Sequence, residues 1–374
     1  MLSSTATEGA NALASEYNNL RTDLINRELF LAQQAIINGN FDIWQRESTF
    51  TNPSSASFTA DRFKVVYVNT GTLPTTIVHS RQALTPGDVA YAFYEYRIAP
   101  NGAGAGFGVS DIYSIQQLIE YGTRYLCGLS KQITISFKAK SNIGSKKLGV
   151  GAVQNYGTGG SPSSEEILSG GTVTLTSSWV SYSVTITTNT LVGKTFGTNN
   201  DDVLKAVFAI MWGSTTGSSY GFGSAETFVG SGNIEITQVQ VNAGNTAFGF
   251  WPKSFQEELN LCKRFYQKSY AYGVFPGAAT SSGEIINSFG ALSSGIHLAR
   301  VGLPIQIRTN SPTITVYDRL GASGKIETFD ASLAVTSGVT PTQLPTDFTE
   351  NSFDVWHSAN VSGIGFQYTV DAEL

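Results

Sequence analysis

Residues 36–46 read IINGNFDIWQR, and the character of the chain changes there. Before this stretch, apolar side chains recur at helical spacing, and after it short alternating runs are separated by Gly, Ser, Thr and Asn. Asn38-Gly39-Asn40 is turn chemistry, because Gly and Asn tolerate a positive φ. The stretch therefore predicts a joint between an N-terminal helix and a β-rich remainder.

Composition supports a β-protein. The chain has 374 residues, of which 14% are charged, 11% are aromatic and 39 are Gly, which is typical of many short strands joined by turns. Its length suggests two or three domains. The balance of 23 Lys and Arg against 28 Asp and Glu gives a charge of −5, and no basic run stands out, so we expect no nucleic-acid partner.

The sequence also limits the compartment. The N-terminus lacks the basic and apolar regions of a secretory signal, and no apolar run reaches the length that a membrane helix needs. We therefore expect a soluble protein made in the cytoplasm, with no membrane insertion. Cys127 and Cys262 show no metal-ligand spacing and are expected to be buried, reduced thiols; we expect neither a bound metal nor a cofactor.

Residues 1–36 are predicted to be a helical attachment or oligomerisation segment. Thr7 is a candidate N-cap, and about three heptads follow, which is short for an isolated coiled coil, so the helix should need a partner. The alternative is a helix that folds back on its own β-domain. The predicted docking stripe consists of Leu13, Tyr17, Leu20, Leu24 and Leu31.

Residues 37–252 are predicted to form an antiparallel β-sandwich. Alternation over 132–140 puts Ile133, Ile135, Phe137 and Ala139 on one face, and further strands are predicted at 179–187, 203–212 and 234–241. Residues 253–374 are predicted to be a smaller β-domain entered by one helix. That helix starts at Ser254, which has Glu257 at capping-box spacing, and strands follow at 312–317 and 364–370.

Catalytic constellations are not evident. His79, His297 and His357 lie far apart without a metal-binding spacing, and residues 221–225 match a hydrolase GxSxG motif only loosely. We therefore predict that the chain is not an enzyme.

The chain resembles a group of bacteriophage virion proteins described as tail-fibre, receptor-binding or minor structural proteins. The resemblance covers nearly the whole chain, and the order of its motifs is more specific than any one of them. The stretches that carry it are ASEYNNLRTDL at Ala14, INGNFDIWQR at Ile37, FTADRF at Phe58, QQLIEYGTRYLCGLSKQITISFKAK at Gln116, VQVNAGNTAFGFWPKSFQEELNLCKRFYQKS at Val239, VGLPIQIRTNSPTIT at Val301 and the terminal DAEL.

This resemblance implies a jelly roll like that of carbohydrate-binding modules, followed by a smaller β-domain. It also implies location in the virion, a homotrimer, and other virion proteins bound at the N-terminal helix. Two functions then compete. One is a tail fibre or receptor-binding protein that contacts a host surface glycan or protein, and the other is a purely structural head or collar fibre or adaptor. A glycan-degrading enzyme ranks third.

Three candidate glycan contacts follow from aromatic side chains beside polar ones. Trp356 with His357 and Tyr317 with Asp318 lie in the C-terminal part, which is expected to face the host. Alternation in the joint puts Asp42 and Trp44 on one face and Phe41 and Ile43 on the other. Each Trp has a simpler interpretation as core. Relatives often have an acidic residue in place of Asn242, which puts a cation site there in doubt.

Overall fold

The computed structural model describes residues 35–374, apart from 228–229, 294–295, 310 and 347. The predicted N-terminal helix, with Leu13, Tyr17, Leu20, Leu24 and Leu31, lies outside the described residues. Among those described, no helix is both long enough and apolar enough to cross a membrane. The protein is built mainly from antiparallel sheets.

The described residues of the first part of the chain form eleven strands and two short helices. These are β1 Thr49–Thr51, β2 Phe63–Val68, β3 Thr76–Ala83, β4 Tyr94–Asn101, β5 Ile112–Glu120, α1 Gly122–Leu126, β6 Gln132–Ser141, β7 Lys147–Asn155, β8 Glu166–Thr174, β9 Val180–Thr187, β10 Val203–Trp212, α2 Ser214–Tyr220 and β11 Ile234–Ala243.

These strands form two sheets. The first sheet has the order β1-β3-β4-β11-β6-β9, and the second has the order β2-β5-β10-β7-β8. From β4 onward the pairing is nested, since β4 pairs with β11, β5 with β10, β6 with β9 and β7 with β8, all antiparallel. Folding a long hairpin over itself in this way gives the strand order of a jelly roll. The predicted antiparallel sandwich is confirmed.

The sandwich core follows from alternation along the strands. On β6, Ile133, Ile135, Phe137 and Ala139 are all buried, as predicted, and they pack against inward residues of the second sheet such as Phe208, whose ring centroid lies 5.3 Å from that of Phe137. Burying such a side chain contributes about 1.5–3 kcal/mol. Turns and loops join the strands at the ends of the two layers.

The C-terminal part begins with the predicted helix, α3 Phe255–Lys263, whose N-cap Ser254 accepts a hydrogen bond from the backbone N–H of Glu257 at 3.2 Å. Its strands are β12 Tyr266–Lys268, β13 Ile285–Ser293, β14 Ile296–Gly302, β15 Thr313–Tyr317, β16 Ile326–Phe329, β17 Val335–Val339, β18 Gln343–Thr346, β19 Ser352–Ser358 and β20 Val361–Asp371.

Strand β20 organises the C-terminal part. It pairs with β12 and β15 along its C-terminal half and with β13 and β16 along its N-terminal half, and β17 extends the sheet beyond β16. A second sheet has the order β14-β19-β18. Side chains from both sheets, including Phe353 and Phe366, form a separate buried cluster.

The joint at residues 36–46 is not an extended strand. Asn38 and Phe41 have positive φ values of 62° and 57°, and the side-chain amide of Asn38 donates to the carbonyls of Ile43 and Asp61 at 2.8 and 3.0 Å. Phe41, Ile43 and Trp44 are all buried. The predicted alternation is therefore wrong, because the loop coils and buries consecutive side chains.

Gly39 in this joint is required by a close approach. Its carbonyl accepts a hydrogen bond from the backbone N–H of Val239 at 2.9 Å, and a Cβ at position 39 would lie 2.1 Å from the carbonyl oxygen of Val239. No side chain fits at that distance. The joint is therefore fastened to β11.

The two cysteines lie in different places. Cys127 belongs to the sandwich core, and Cys262 packs with Ile43 and Leu259 between the sandwich and the C-terminal part. Both are free and buried, and burial raises the pKa of the Cys127 thiol to about 12. The predicted burial of both thiols is confirmed.

Candidate binding groove

The joint does not present the predicted pair of Asp42 and Trp44 to a ligand. Trp44 is 1% exposed, its indole N–H donates to the carbonyl of Phe41 at 3.0 Å, and its ring packs against Tyr96. Burial raises the pKa of Asp42 to about 6, and one of its carboxylate oxygens accepts from the Asn40 amide at 3.3 Å. The ring of Trp44 is thus core and offers no face for stacking.

The two C-terminal candidates lie on different sheets. Tyr317 ends β15, whereas Trp356 and His357 are on β19. Asp318 is fully buried, and its carboxylate accepts from the backbone N–H groups of Leu320, Ala322 and Gly338 at 3.0, 2.8 and 2.7 Å.

Asp318 stabilises the turn, because both oxygens of its carboxylate accept hydrogen bonds from backbone N–H groups. His357 is buried, and Trp356 is half-buried with its indole nitrogen unpartnered among the described residues. Trp356 and Tyr317, which are both half-buried, therefore remain candidate contacts.

A groove of about 480 Å³ lies elsewhere, on the outer face of the first sheet. Its floor consists of two rows of outward side chains across β11, β6 and β9, set by the register of these strands. The first row is Gln240, Ser136 and Ser183, and the second is Lys138 and Ser181.

Floor amides hold the two walls of the groove. Gln238 donates from Nε2 to the carbonyl of Ala90 at 2.5 Å, and Gln240 donates to the carbonyl of Phe248 at 3.1 Å. These two loops form the walls and contribute aromatic residues to the lining, namely Tyr91 from one loop and Phe248 and Phe250 from the other. Tyr91 also contacts Trp251, with ring centroids 6.4 Å apart.

Backbone strain is stored at this groove. The register of β11 shifts between Thr237 and Gln240, which is a β-bulge, and Gln238 in the bulge has φ 56°. Tyr91 in the wall has φ 64°. A left-handed conformation of a non-Gly residue costs about 1–3 kcal/mol and is found often at binding sites. Here it turns Gln238 outward into the groove, next to the inward-facing core residue Val239.

Two buried polar atoms near the floor have no hydrogen-bond partner among the described residues. One is Oγ of Ser136, a residue only 7% exposed that lines the groove, and the other is Oδ1 of Asn242. The amide nitrogen of Asn242 donates to the carbonyls of Ala243 and Thr246, both at 2.9 Å. A buried hydroxyl left unpaired is costly, and a ligand entering the groove would satisfy it.

A charged cluster lies beside the groove on the same face. Arg97 contacts Glu95 at 2.7 Å and Glu235 at 2.8 Å, and Glu235 also contacts Lys140 at 2.9 Å. Burial, with the nearby Glu235, raises the pKa of Glu95 to about 7. Two acidic and two basic side chains therefore neutralise one another at the end of the groove.

Sequence reasoning missed this site although part of its signal was visible. The alternation in QITISFKAK that predicts an inward apolar face also places Ser136 and Lys138 together on the outward face. The walls gave no such signal, because Tyr91 and Phe250 come from loops far apart in the sequence, and only the fold brings them together.

Comparison with known proteins was made by sequence and by structure. No protein-family model and no curated protein match the chain. Among solved structures, the enzymatically active domain of bacteriophage CBA120 tailspike protein 4 is similar, with a TM-score of 0.29 and 10% identity over 56% of this chain. The chain covers 21% of that tailspike chain.

Two structures of carbohydrate-binding modules are also similar. The tandem CBM22 pair of Paenibacillus barcinonensis Xyn10C matches 89% of this chain and 92% of its own, with a TM-score of 0.28 and 11% identity. The family 11 module of Clostridium thermocellum, solved with a mixed-linked tetrasaccharide, matches 54% and 98%, with a TM-score of 0.27 and 9% identity. Similarity at this level carries no argument about what the present chain does.

Proposed function

We propose that this chain binds a glycan in the groove on the first sheet, as a component of a bacteriophage virion appendage that contacts the host surface. The observation that carries the binding role is the groove itself: hydroxyl and amide side chains on the floor, aromatic rings on both walls, and the unpartnered Ser136 hydroxyl between them.

Groove chemistry suits a saccharide. A sugar ring has apolar C–H faces that pack on Tyr91, Phe248 or Phe250, and hydroxyl groups that pair with serine and glutamine side chains. The positive-φ bulge and the wall hydrogen bonds hold these groups before any ligand arrives, which lowers the ordering cost of binding.

A binding role fits this groove better than a catalytic one. The described residues that line it include no carboxylate and no histidine, whereas glycoside hydrolysis ordinarily uses a pair of carboxyl groups across the scissile bond. The virion role is supported by the order of the motifs from ASEYNNLRTDL to the terminal DAEL. A homotrimer docked by residues 1–36 belongs to the same proposal.

Binding is tested on an array of bacterial surface polysaccharides with the unmodified chain, Tyr91→Ala and Phe250→Ala. We expect each variant to lose about tenfold or more in affinity, which corresponds to one aromatic contact. Phe93→Ala is the matched control, because Phe93 lies on the same loop, is 74% exposed and does not line the groove. Equal loss in the control, or no saccharide bound by the unmodified chain, would refute the groove as the site.

The place in the particle needs a separate experiment. Antibodies against residues 253–374 should label the distal end of a tail appendage in electron micrographs of the phage. Labelling of the head or collar would instead support the alternative of a head or collar fibre or adaptor with a purely structural role.

A further inference from the structure

The groove carries one charged side chain, Lys138, among the residues that line it. Lys138 lies on β6, is half-buried, and donates from Nζ to the hydroxyl of Ser181 at 2.9 Å. An ammonium group has three N–H donors, so this bond leaves donor capacity unused. No carboxylate of the described residues lies within ion-pair distance of it.

Neighbouring charges do not compensate Lys138. Its strand neighbour Lys140 is engaged by Glu235 at 2.9 Å and by the ring of Trp179, whose centroid is 4.9 Å from Nζ. Glu95 and Glu235 are both held by Arg97. The cluster of two acidic and two basic residues has no excess negative charge, so Lys138 leaves the floor with an excess positive charge.

The bond from Lys138 to Ser181 is solvent-exposed, so water hydrates the ammonium in the free protein, and an anionic ligand group can replace that water with a charge-assisted hydrogen bond. The unpartnered hydroxyl of Ser136 lies two positions earlier on the same face of β6, at a strand spacing of about 6.7 Å. A single ring with one charged substituent spans that distance. The aromatic walls make a simple inorganic anion a poor occupant, because it would leave their faces without a contact.

From this geometry we propose that the groove takes an acidic saccharide, whose anionic substituent pairs with Lys138 while a ring hydroxyl pairs with Ser136. The inference rests on the proposed glycan-binding function and specifies its ligand class. Both a uronate carboxylate and a phosphate diester would supply the charge, and they are distinguished by the ligands tested.

The test measures affinity for a panel of acidic bacterial polysaccharides, each before and after the charge is removed. Uronic acids are neutralised by carboxyl reduction, and phosphate-bridged polymers are compared with their dephosphorylated repeat units. We expect the acidic form of at least one polymer to bind about tenfold more tightly, with the difference shrinking as salt is raised from 0.05 to 0.5 M.

Substitutions assign the charge to the groove. Lys138→Met should bring the affinity for the acidic form down to that for the neutral form, whereas Lys138→Arg should keep the preference. Lys325→Met is the control, since Lys325 likewise donates to a hydroxyl, that of Thr340 at 2.7 Å, but lies in the C-terminal part. A thermal scan of each variant confirms that it is folded.

The outcomes are separable. Equal binding of acidic and neutral forms, or a preference that survives Lys138→Met, would overturn the acidic ligand while glycan binding in the groove stands. Failure of every polymer to bind would overturn both proposals together.

Discussion

Arg62 of the jelly roll forms an ion pair with Glu373, the penultimate residue of the chain, and both side chains are buried. The guanidinium of Arg62 also donates to the carbonyl of Leu118 at 2.6 Å and lies 3.4 Å from the ring centroid of Phe265. Beside it, Arg46 contacts Asp371 at 2.9 Å. The C-terminal residues are thus fastened to the jelly roll.

Removing one partner of this buried pair should be costly. Glu373→Ala leaves Arg62 uncompensated, and we expect the free energy of unfolding to fall by about 3–5 kcal/mol. Asp371→Ala is the matched control: its side chain is 37% exposed, so the loss should stay within about 1 kcal/mol. Urea unfolding of the two variants measures the difference. Equal losses would show that burial of the Arg62 pair is not what matters.

The acidic pair of Glu284 and Glu327 should give stability a pH dependence. Burial, with a hydrogen bond to Glu284, raises the pKa of Glu327 from 4.5 to about 8. Arg319 contacts both carboxyl groups, and a Cβ at Gly365 would lie 2.4 Å from Oε1 of Glu284, so a side chain there would displace that carboxylate.

Between pH 4.5 and about 8 the unfolded chain has released the Glu327 proton while the folded chain retains it. The free energy of unfolding should therefore fall as pH rises through this window, by at most about 1.4 kcal/mol per pH unit for this group. Glu327→Gln should remove that contribution, whereas Glu47→Gln, at an exposed position, should leave it in place. Identical pH slopes in parent and Glu327→Gln would contradict this assignment.

Single substitutions of Asp318 and Trp356 should have different effects, one on stability and the other on adsorption to host cells. Asp318→Ala strips a buried acceptor from three backbone N–H groups, and we expect a loss of about 1–3 kcal/mol or more in stability. Trp356→Ala should leave virion assembly intact and lower adsorption to host cells if β19 contacts the receptor. Unchanged adsorption in a correctly assembled particle would remove Trp356 from the candidates.

Oligomerisation is predicted to depend on the N-terminal stripe. Replacing Leu20 and Leu24 with Asp should give monomers that keep their β-structure, because charges on an a/d stripe oppose helix association. Light scattering and circular dichroism measure the two effects. A stable monomer from the unmodified chain would rule out the trimer.

Truncation should show where the folded part begins. Ile36 is fully buried, and the backbone N–H and C=O of Ile37 both pair with the side-chain amide of Gln117, at 2.8 and 2.7 Å. A fragment 38–374 loses these contacts, so it should be less stable than 35–374 by about 3 kcal/mol or more. Neither fragment should enter virions if residues 1–36 dock the protein. Incorporation of the longer one would count against that role.

Local patterns were sufficient for much of the fold. Alternation in QITISFKAK predicted both the strand β6 and its inward face, and the cap at Ser254 predicted the start of α3, because strand periodicity and capping depend on residues adjacent in the chain. The prediction of strand alternation in the joint was wrong, because the conformation of the joint is set by a contact with Val239, about two hundred positions away.

The sequence by itself determined the β-class, six of the strands and the turn at Asn38-Gly39, since these follow from side-chain period and backbone freedom over a few residues. The tertiary structure alone decided the groove, which needs the register of β11, β6 and β9, the bulge at Gln238 and two walls from distant loops. It also decided that Trp44 is core. Burial is a property of what packs around a side chain, and no local pattern specifies those partners.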